Sequence, residues 1–246
     1  MNILHVNDVS KSYGKQQILW NVHFSAQQGQ IVGLIGPSGS GKTTIIKLIM
    51  GMDLPSSGNV EVLNQQVPNL SLLKQIGYMA QSDALYQDLT GIENLRFFAS
   101  MFLMNKKEQQ QRIAYVVNLV QLESALKKRV ATYSGGMKRR LSLAVALIQN
   151  PPLLILDEPT VGIDPELRKS IWQELTRLKN EENKTIIVTT HVMGEAEKCD
   201  VLAMIREGRV ITTGSPQKLK DDYHVTNLEE VFLEAGGVAH AHQSTS

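Results

Sequence analysis

The chain has 246 residues, enough for one large domain with a substantial buried core. Its 25 Lys and Arg residues nearly balance its 24 Asp and Glu residues, so the net charge of +1 argues against the basic excess of a nucleic-acid-binding protein. The single cysteine, Cys199, excludes an internal disulfide and favours a reducing compartment.

The N-terminal part of the chain predicts strands around one helix. Residues 1–30 alternate short polar and apolar runs, a pattern typical of antiparallel strands, with a turn near Gly14. Residues 31–35 are a continuous apolar run, which predicts a strand buried on both faces. A glycine-rich loop follows, and a helix is expected over residues 42–50. Two further short strands are predicted at 59–62 and 76–79.

Helical patterns dominate the middle of the chain. Thr90 and Glu93 stand three residues apart in a capping-box sequence, in which each side chain satisfies a backbone N–H group near the other residue. A helix is therefore expected to start there. Helical segments continue to residue 150, with an interruption around 130–136.

Strands return in the last third of the chain, at 153–156 and 185–190 and in a hairpin of 201–205 with 210–213. This order of elements predicts an α/β fold whose parallel core carries an antiparallel β subdomain and an inserted α-helical subdomain at about 88–150. We interpret residues 1–235 as a single domain. Residues 236–246 have no core-forming pattern, and we expect them to be a disordered tail.

Residues 36–43 fit the pattern G-x-x-x-x-G-K-[ST] of a phosphate-binding loop. Its glycines let successive backbone N–H groups approach phosphate oxygens, and the helix that begins near Lys42 points its positive dipole end at the same anion. We expect Lys42 to reach the β and γ phosphates and the Thr43 hydroxyl to bind Mg²⁺. The predicted nucleotide-binding residues of this segment are Gly36, Pro37, Ser38, Gly39, Ser40, Gly41, Lys42, Thr43 and Thr44.

Asp157 and Glu158 directly follow an apolar strand, at the carboxyl end where α/β folds bind ligands. Asp157 is suited to hold hydrated Mg²⁺, and Glu158 is suited to polarise the attacking water as a general base. An acidic turn after a strand means little by itself. Together with a phosphate loop it predicts phosphoryl transfer, because that reaction needs both a metal anchor and a group that positions water.

Ser134, Gly135 and Gly136 open a predicted helix with two glycines. The plain interpretation is an ordinary glycine-rich helix start. The sharper hypothesis is a second anion site made of exposed N–H groups and the serine hydroxyl, which would need a partner's phosphate. We interpret the charged run 138–140 as a solvated helix face and not as a nucleic-acid site.

With these segments the chain resembles the nucleotide-binding domain of ATP-binding cassette (ABC) transporters, over about residues 1–235. The resemblance implies a P-loop NTPase (RecA-like) core, with Ser134 to Gly136 as the family signature and Asp157 and Glu158 as the acidic pair. It also implies roles for four residues that mean little alone: Tyr13 stacks on adenine, Gln81 senses Mg²⁺ and the attacking water, Asp164 lies at the dimer seam, and His191 contacts the γ-phosphate.

The resemblance further implies how the protein works. An ATPase of this family acts as a head-to-tail dimer, expected here to be two copies of the chain, with each Mg-ATP between the phosphate loop of one subunit and Ser134 to Gly136 of the other. An integral membrane permease is expected to dock on residues 83–95, between Asp83 and Leu95, which places the chain peripherally at the cytoplasmic face of the cell membrane. A membrane-spanning segment is not expected, because no run of about 18 apolar residues occurs.

Tyr133 and Met137 depart from the family consensus Leu-Ser-Gly-Gly-Gln, while the phosphate-facing Ser and Gly are kept. Residues 134–141 and 227–233 are similar to exporters of drugs, lipids or polysaccharides. The chain also ends without the long regulatory domain that importer subunits more often have. By this analogy we expect an exporter.

Two alternatives remain open. A soluble ABC-type ATPase acting on ribosomes or DNA usually has two cassettes, or a long coiled coil between phosphate loop and signature, whereas here only residues 43–133 separate Lys42 from Ser134. A phosphate-loop protein of another family, such as a small-molecule kinase or a GTPase, leaves Ser134 to Gly136 unexplained. The guanine-recognition sequence Asn-Lys-x-Asp is also absent from the chain.

Overall fold

The computed structural model describes residues 1–82, 84–102 and 104–243. The chain divides into two compact units. The first unit consists of Met1–Leu72 together with the chain from Ile187 onward, and the inserted unit is Leu73–Ile186. The inserted unit contains the segment 88–150, for which a helical subdomain is predicted.

The first unit begins with a strand hairpin whose turn contains Gly14 at a φ of +58°, where the sequence predicts a turn. Its N-terminal elements are β1 (Asn2–Tyr13), β2 (Gln16–Gln27), β3 (Ile31–Ile35), α1 (Lys42–Ile49), β4 (Ser57–Val62) and β5 (Gln65–Gln66). Four of these strands form an antiparallel sheet in the order β2-β1-β4-β5. All five residues of β3 are buried, so the predicted two-sided burial of this strand is confirmed.

The inserted unit has a pair of parallel strands and four helices of eight or more residues within its described part. Its main elements are β6 (Ile76–Met79), α2 (Gly91–Ser100), α3 (Lys106–Leu119), α4 (Gly135–Ile148), β7 (Leu153–Asp157) and α5 (Pro165–Glu182). β6 pairs with β7 in register from Ile76 opposite Leu153 to Met79 opposite Leu156. The predicted capping box at the start of α2 is confirmed, because Thr90 and Glu93 bind each other's backbone N–H groups.

β8 (Thr185–Thr190) begins at the last two residues of the inserted unit and continues into the first unit. The chain then completes the first unit with α6 (Met193–Ala196), β9 (Val201–Arg206), β10 (Arg209–Gly214), α7 (Pro216–Asp222) and α8 (Leu228–Gln243). In the sheet of this unit the strand order is β10-β9-β3-β8. β3 is parallel to β9, and β10 returns antiparallel to β9 as the predicted hairpin. The phosphate loop therefore leaves the carboxyl end of a strand that lies in the middle of a sheet, where ligands bind in such folds.

The C-terminal helix α8 changes one expectation. Residues 236–243 belong to this helix, although we expected a disordered tail to begin at residue 236. Leu228, Val231 and Ala235 are buried on one face, and Gly236 packs against Arg206, so tertiary contacts hold the helix as far as Gly236. Residues 244–246 lie outside the described residues. Among the helices described, none is long and apolar enough to span a membrane.

Candidate functional site

The predicted phosphate loop connects β3 to the first turn of α1. Gly39 and Gly41 have φ angles of +80° and +105°, a region that side chains disfavour. Lys42 is buried, and its Nζ donates to the carbonyl oxygens of Gly36 at 2.8 Å and Pro37 at 2.9 Å. The backbone of the loop thus curves around the ammonium group of its own lysine.

This loop has the donors that an anion requires. Within the described structure α1 receives no side-chain N-cap hydrogen bond, and its first turn contains no acidic residue. Ser40 Oγ is buried and has no hydrogen-bond partner among the described residues. A buried hydroxyl without a partner is costly, and a phosphate oxygen would satisfy it together with the Lys42 ammonium and the N-terminal end of α1. The residues present therefore fit a bound phosphate chain.

The turn between β9 and β10 supports the phosphate loop, although the sequence analysis assigned it no part in the site. The Gly208 N–H donates to the Ser40 carbonyl at 3.1 Å. A Cβ placed on Gly208 would lie 2.0 Å from the carbonyl oxygen of Ile18, so the close approach requires glycine. The only signal in the sequence is a Glu-Gly turn, and that pattern predicts a hairpin without saying what the hairpin touches.

Tyr13 and His191 also lie in the first unit, each at the end of a strand. Tyr13 is the last residue of β1, and its side chain is well exposed. His191 follows β8 and is exposed as well. The turn after His191 is held by Thr190, whose Oγ1 donates to Glu195 at 2.8 Å and accepts from the Val192 N–H at 3.0 Å. Both predicted site residues thus present their side chains at the surface from fixed strand ends.

In the inserted unit, the acidic pair lies at the carboxyl end of β7. Asp157 is the last residue of the strand and is only 1% exposed, and Glu158 follows at a φ of +53°. Residues other than glycine rarely adopt this left-handed conformation, and where they do it often marks a functional site. Burial, and secondly the negative charge of Asp157, raise the pKa of Tyr78 on the neighbouring strand β6.

Arg139 corrects the interpretation of the charged run 138–140 as a solvated face. This side chain is buried, and its guanidinium group donates to four backbone carbonyls of the inserted unit. The acceptors are Ala80 at 2.7 Å, Gln81 at 2.9 Å, Glu158 at 2.7 Å, and Asp157. Arg139 therefore ties α4 to the segment after β6 and to the acidic pair, and sequence analysis missed it.

The start of α4 is exposed to solvent. Ser134 is the N-cap residue, and its Oγ accepts from the Met137 N–H at a long 3.3 Å. A Cβ on Gly135 would meet no heavy atom of the described residues within 4 Å, whereas a Cβ on Gly136 would lie 2.9 Å from the Gly162 carbonyl oxygen. The start of α4 thus lies against the Gly162 carbonyl, two residues before the predicted seam residue Asp164.

Asp164 and Gln81 complete the predicted residues of the inserted unit. Asp164 is the N-cap of α5 and accepts from the Leu167 N–H at 2.9 Å, so its carboxylate already has a structural partner. Gln81 follows β6 with an exposed side chain, while its carbonyl oxygen is held by Arg139. Arg139 therefore fixes the backbone of Gln81 and leaves its amide group accessible.

The segment predicted to dock a permease begins at Asp83, which lies outside the described residues. Beyond it, Tyr86 is exposed and packs edge-to-face on Phe97 of α2, with ring centroids 4.8 Å apart. Asn94 is fully buried and binds the Tyr86 backbone at both its N–H, 2.9 Å, and its carbonyl, 3.0 Å. An aromatic pair is thus held at the surface by a buried amide.

Tyr133, one of the two departures from the family consensus, has a structural explanation. Its ring is buried, and its hydroxyl donates to the Ala125 carbonyl at 2.8 Å. A Cβ on Gly91 would lie 2.3 Å from this hydroxyl, so the glycine at the first position of α2 leaves room for the tyrosine. The larger residue fills space at the helix interface and leaves Ser134 exposed.

Comparisons with known proteins agree with these motifs. The family model described as ABC transporter matches residues 19–161. The chain is 40% identical over 247 aligned positions to the Nod factor export ATP-binding protein I of Rhizobium etli, and the match covers 99% of this chain and 77% of that protein.

Solved structures show the same fold. An ATP-binding subunit of an ABC transporter matches with a TM-score of 0.88 and 29% identity, covering 95% of this chain and 99% of that one. The dimeric ATP-binding cassette MJ0796, in a post-hydrolysis state with ADP and Pi, matches with a TM-score of 0.80 and 29% identity, over 86% of this chain and 98% of that one. The predicted P-loop NTPase fold is confirmed, and the chain belongs to the ABC transporter family as an ATP-binding subunit that hydrolyses ATP to drive transport.

Proposed function

We propose that this subunit powers an exporter, as a head-to-tail dimer with two shared ATP sites at the cytoplasmic face of a membrane permease. The relatives named for Nod factor export support the direction of transport. The observation that supports the shared site is the exposed start of α4, where Ser134 and Gly135 are proposed to form a second anion site in addition to the phosphate loop.

A dimer explains both anion sites with one nucleotide. The phosphate loop in the first unit binds the phosphates through its own backbone, Ser40 and Lys42. The start of α4 on a second copy of the chain then contacts the γ-phosphate, so ATP links the two copies and its hydrolysis releases them. The dimeric cassette with ADP and Pi supports this arrangement.

Glu158 is the proposed general base, which accepts a proton from the attacking water. Gln81 orients that water, His191 contacts the γ-phosphate, and Asp164 acts at the dimer seam. Each role is supported by the exposure of its side chain at a strand or helix end, or, for Glu158, by its place directly after Asp157 at the carboxyl end of β7. Bound nucleotide would be held further by Tyr13 stacking on adenine.

Thr43, Gln81 and Asp157 are the proposed ligands of Mg²⁺, which would neutralise charge on the phosphates. Across residues 1–82, 84–102 and 104–243, no group of three His, Cys, Asp or Glu side chains is arranged to hold a metal. Magnesium sites commonly combine one or two carboxylates with phosphate oxygens and water, and a hydroxyl, an amide and one carboxylate suit that mode.

A permease is the proposed membrane partner, and residues 84–95 with Phe97 are its proposed docking surface. Exposed aromatic side chains are enriched at protein interfaces, and Tyr86 and Phe97 are held there by packing and by Asn94.

Action on ribosomes or DNA is less well supported, because the net charge of +1 provides no basic surface excess.

Glu158→Gln tests this function. The variant is expected to bind ATP, to lose turnover by at least about 100-fold, and to accumulate as an ATP-dependent dimer. Turnover is measured by phosphate release, and mass by light scattering with and without ATP. Glu166→Gln, the same change at an exposed position of α5, is the control and should behave like the unmodified chain. A Glu158→Gln protein that stays monomeric with normal turnover would contradict the proposal.

A further inference from the structure

Tyr13 is the centre of a polar cluster with Lys11 and Asp53. Its hydroxyl donates to Asp53 Oδ2 at 2.5 Å. The Lys11 ammonium lies over one face of the ring, 4.7 Å from its centroid, which is the range of a cation–π contact. The residue remains 47% exposed although both groups hold it. Its hydroxyl and one ring face are therefore occupied while much of the side chain stays accessible.

Lys11 and Asp53 also bind each other and the backbone. Lys11 Nζ lies 2.5 Å from Asp53 Oδ1 and donates to the Leu54 carbonyl at 2.7 Å. Asp53 Oδ1 additionally accepts from the Leu54 N–H at 2.8 Å. Since each of the three side chains contacts the other two, none can change rotamer without breaking contacts of the cluster. Exposed side chains normally keep such freedom.

The cluster joins two segments of the first unit. Lys11 and Tyr13 are two residues apart on β1, so their side chains leave the same face of the strand. Asp53 comes from the turn after α1, where Gly51 at a φ of +66° ends the helix. The same helix begins at the phosphate loop. One short helix thus has Lys42 at its start and is followed within a turn by the residue that holds Tyr13.

The protonation states keep the cluster closed near neutral pH. Hydrogen bonds from Lys11 and then from Tyr13 lower the pKa of Asp53 to about 2, so its carboxylate stays ionised. The bond to Asp53 raises the pKa of Tyr13, so the phenol keeps the proton that it donates. Neither group titrates in the range where the enzyme works.

We propose that Asp53 is a positioning residue for nucleotide binding, which fixes the Tyr13 ring before ATP arrives and leaves the ring face opposite Lys11 for the adenine. The inference rests on the proposed stacking role of Tyr13. A ring that is already ordered loses little side-chain entropy when the base stacks on it, so binding is stronger than with a mobile ring. Asp53 does not touch the base; it acts through Tyr13.

The test compares two ligands, ATP and inorganic tripolyphosphate, which has the phosphates but no base. Dissociation constants are measured by calorimetry without Mg²⁺, so that ATP is not hydrolysed. Asp53→Asn is expected to raise the Kd of ATP about threefold to tenfold and to leave the Kd of tripolyphosphate unchanged. Tyr13→Phe, which keeps the ring and removes only the hydroxyl, should give the same pattern, and combining both changes should add nothing further.

Asp8→Asn is the matched control, because Asp8 is on β1 in the same unit with a side chain that is 82% exposed and no contact to Tyr13 among those described. It should leave both dissociation constants unchanged. If Asp53→Asn fails to fold, Tyr13→Phe carries the test alone.

The outcomes separate this inference from the proposed function. If Tyr13→Ala leaves the Kd of ATP unchanged, base stacking is wrong and the inference falls with it. If Tyr13→Ala weakens ATP while Asp53→Asn and Tyr13→Phe do not, stacking stands and positioning is overturned. Equal weakening of ATP and tripolyphosphate by Asp53→Asn would also overturn it, because the effect would then pass through α1 to the phosphate loop.

Discussion

Two helices of this chain begin with glycine-rich segments, and the two starts are built differently. Nothing in the described structure caps α1 with a side chain, yet its loop is closed around Lys42 and braced by Gly208. α4, in contrast, is capped by its own Ser134 through a long bond, and the space beside Gly135 is open as far as the described residues go.

The two helix starts suit different tasks. The start of α1 is a preformed cradle, so a phosphate group gains many contacts without reordering the chain. The start of α4 has an exposed serine and an exposed glycine, and the proposed dimer would bring a phosphate to them from the other copy. Under the proposed function, the same sequence signal, glycines before a helix, serves nucleotide affinity in one case and subunit closure in the other.

Mixing two inactive variants tests most directly whether the two helix starts act on one nucleotide from different copies of the chain. Lys42→Ala removes the cradle's ammonium, and Ser134→Glu places a negative charge at the start of α4, which suits the helix dipole but repels a phosphate. Each variant alone should lose nearly all turnover. An equimolar mixture should regain activity, because a mixed dimer combines an intact phosphate loop from one copy with an intact α4 start from the other. Phosphate release from the mixture provides the measurement, and Lys47→Ala, at an exposed position of α1, is the control. A mixture as inactive as its components would show that each site belongs to one chain.

Removing the Arg139 side chain should have the next largest effect. Arg139→Met leaves several backbone acceptors without their donor, which is expected to lower the free energy of unfolding by about 2–4 kcal/mol. Turnover should fall roughly tenfold or more, because the carbonyls of Gln81 and Glu158 lose their anchor.

Arg140→Met is the matched control for this variant. Its guanidinium donates to the carbonyls of Gln121 at 3.2 Å and Val120 at 3.4 Å, both long bonds, and the side chain is partly exposed. Chemical denaturation and steady-state kinetics compare the two proteins. Full turnover in folded Arg139→Met would show that the four contacts stabilise the unit without positioning the site.

Ser134→Ala should have the smallest effect of the three and sharpens the role of the α4 cap. Both Ser134 and Asn105 are N-caps in the inserted unit, so replacing either with Ala should cost about 1 kcal/mol of stability. Only Ser134→Ala should also lower turnover, by about tenfold, because only this hydroxyl is proposed to reach a phosphate. Equal turnover in the two variants, measured at matched stability, would reduce Ser134 to an ordinary cap.

Much of the fold was predictable because its buried strands are short apolar runs with clear ends. The predicted strands 31–35, 76–79 and 185–190 coincide with β3, β6 and β8. The phosphate loop and the capping box at Thr90 were predictable because both are local patterns with a fixed spacing. The candidate site residues lie at or near the end of a strand or at the start of a helix, but the roles of Tyr13, Gln81, Asp164 and His191 came only from the family resemblance.

What the sequence did not reveal depends on contacts between distant segments. Arg139 lies between Lys138 and Arg140, and three adjacent charges suggest a solvated face. The helical spacing nevertheless places Arg139 on the buried side of α4, because Leu143 and Ala146, four and seven residues later, are buried on that side. No local sequence pattern indicates the contacts of Asp53 and Gly208, because their partners are distant along the chain and come together only in the folded structure.

The backbone of Glu158 has a consequence for anyone who stabilises this protein. Its left-handed conformation costs roughly 1–2 kcal/mol relative to a residue that tolerates it, such as Gly or Asn. Screens that reward only heat resistance would therefore drift towards those residues at this position and discard the proposed base without any loss of fold. Selection for stability and selection for turnover therefore favour different residues at this position.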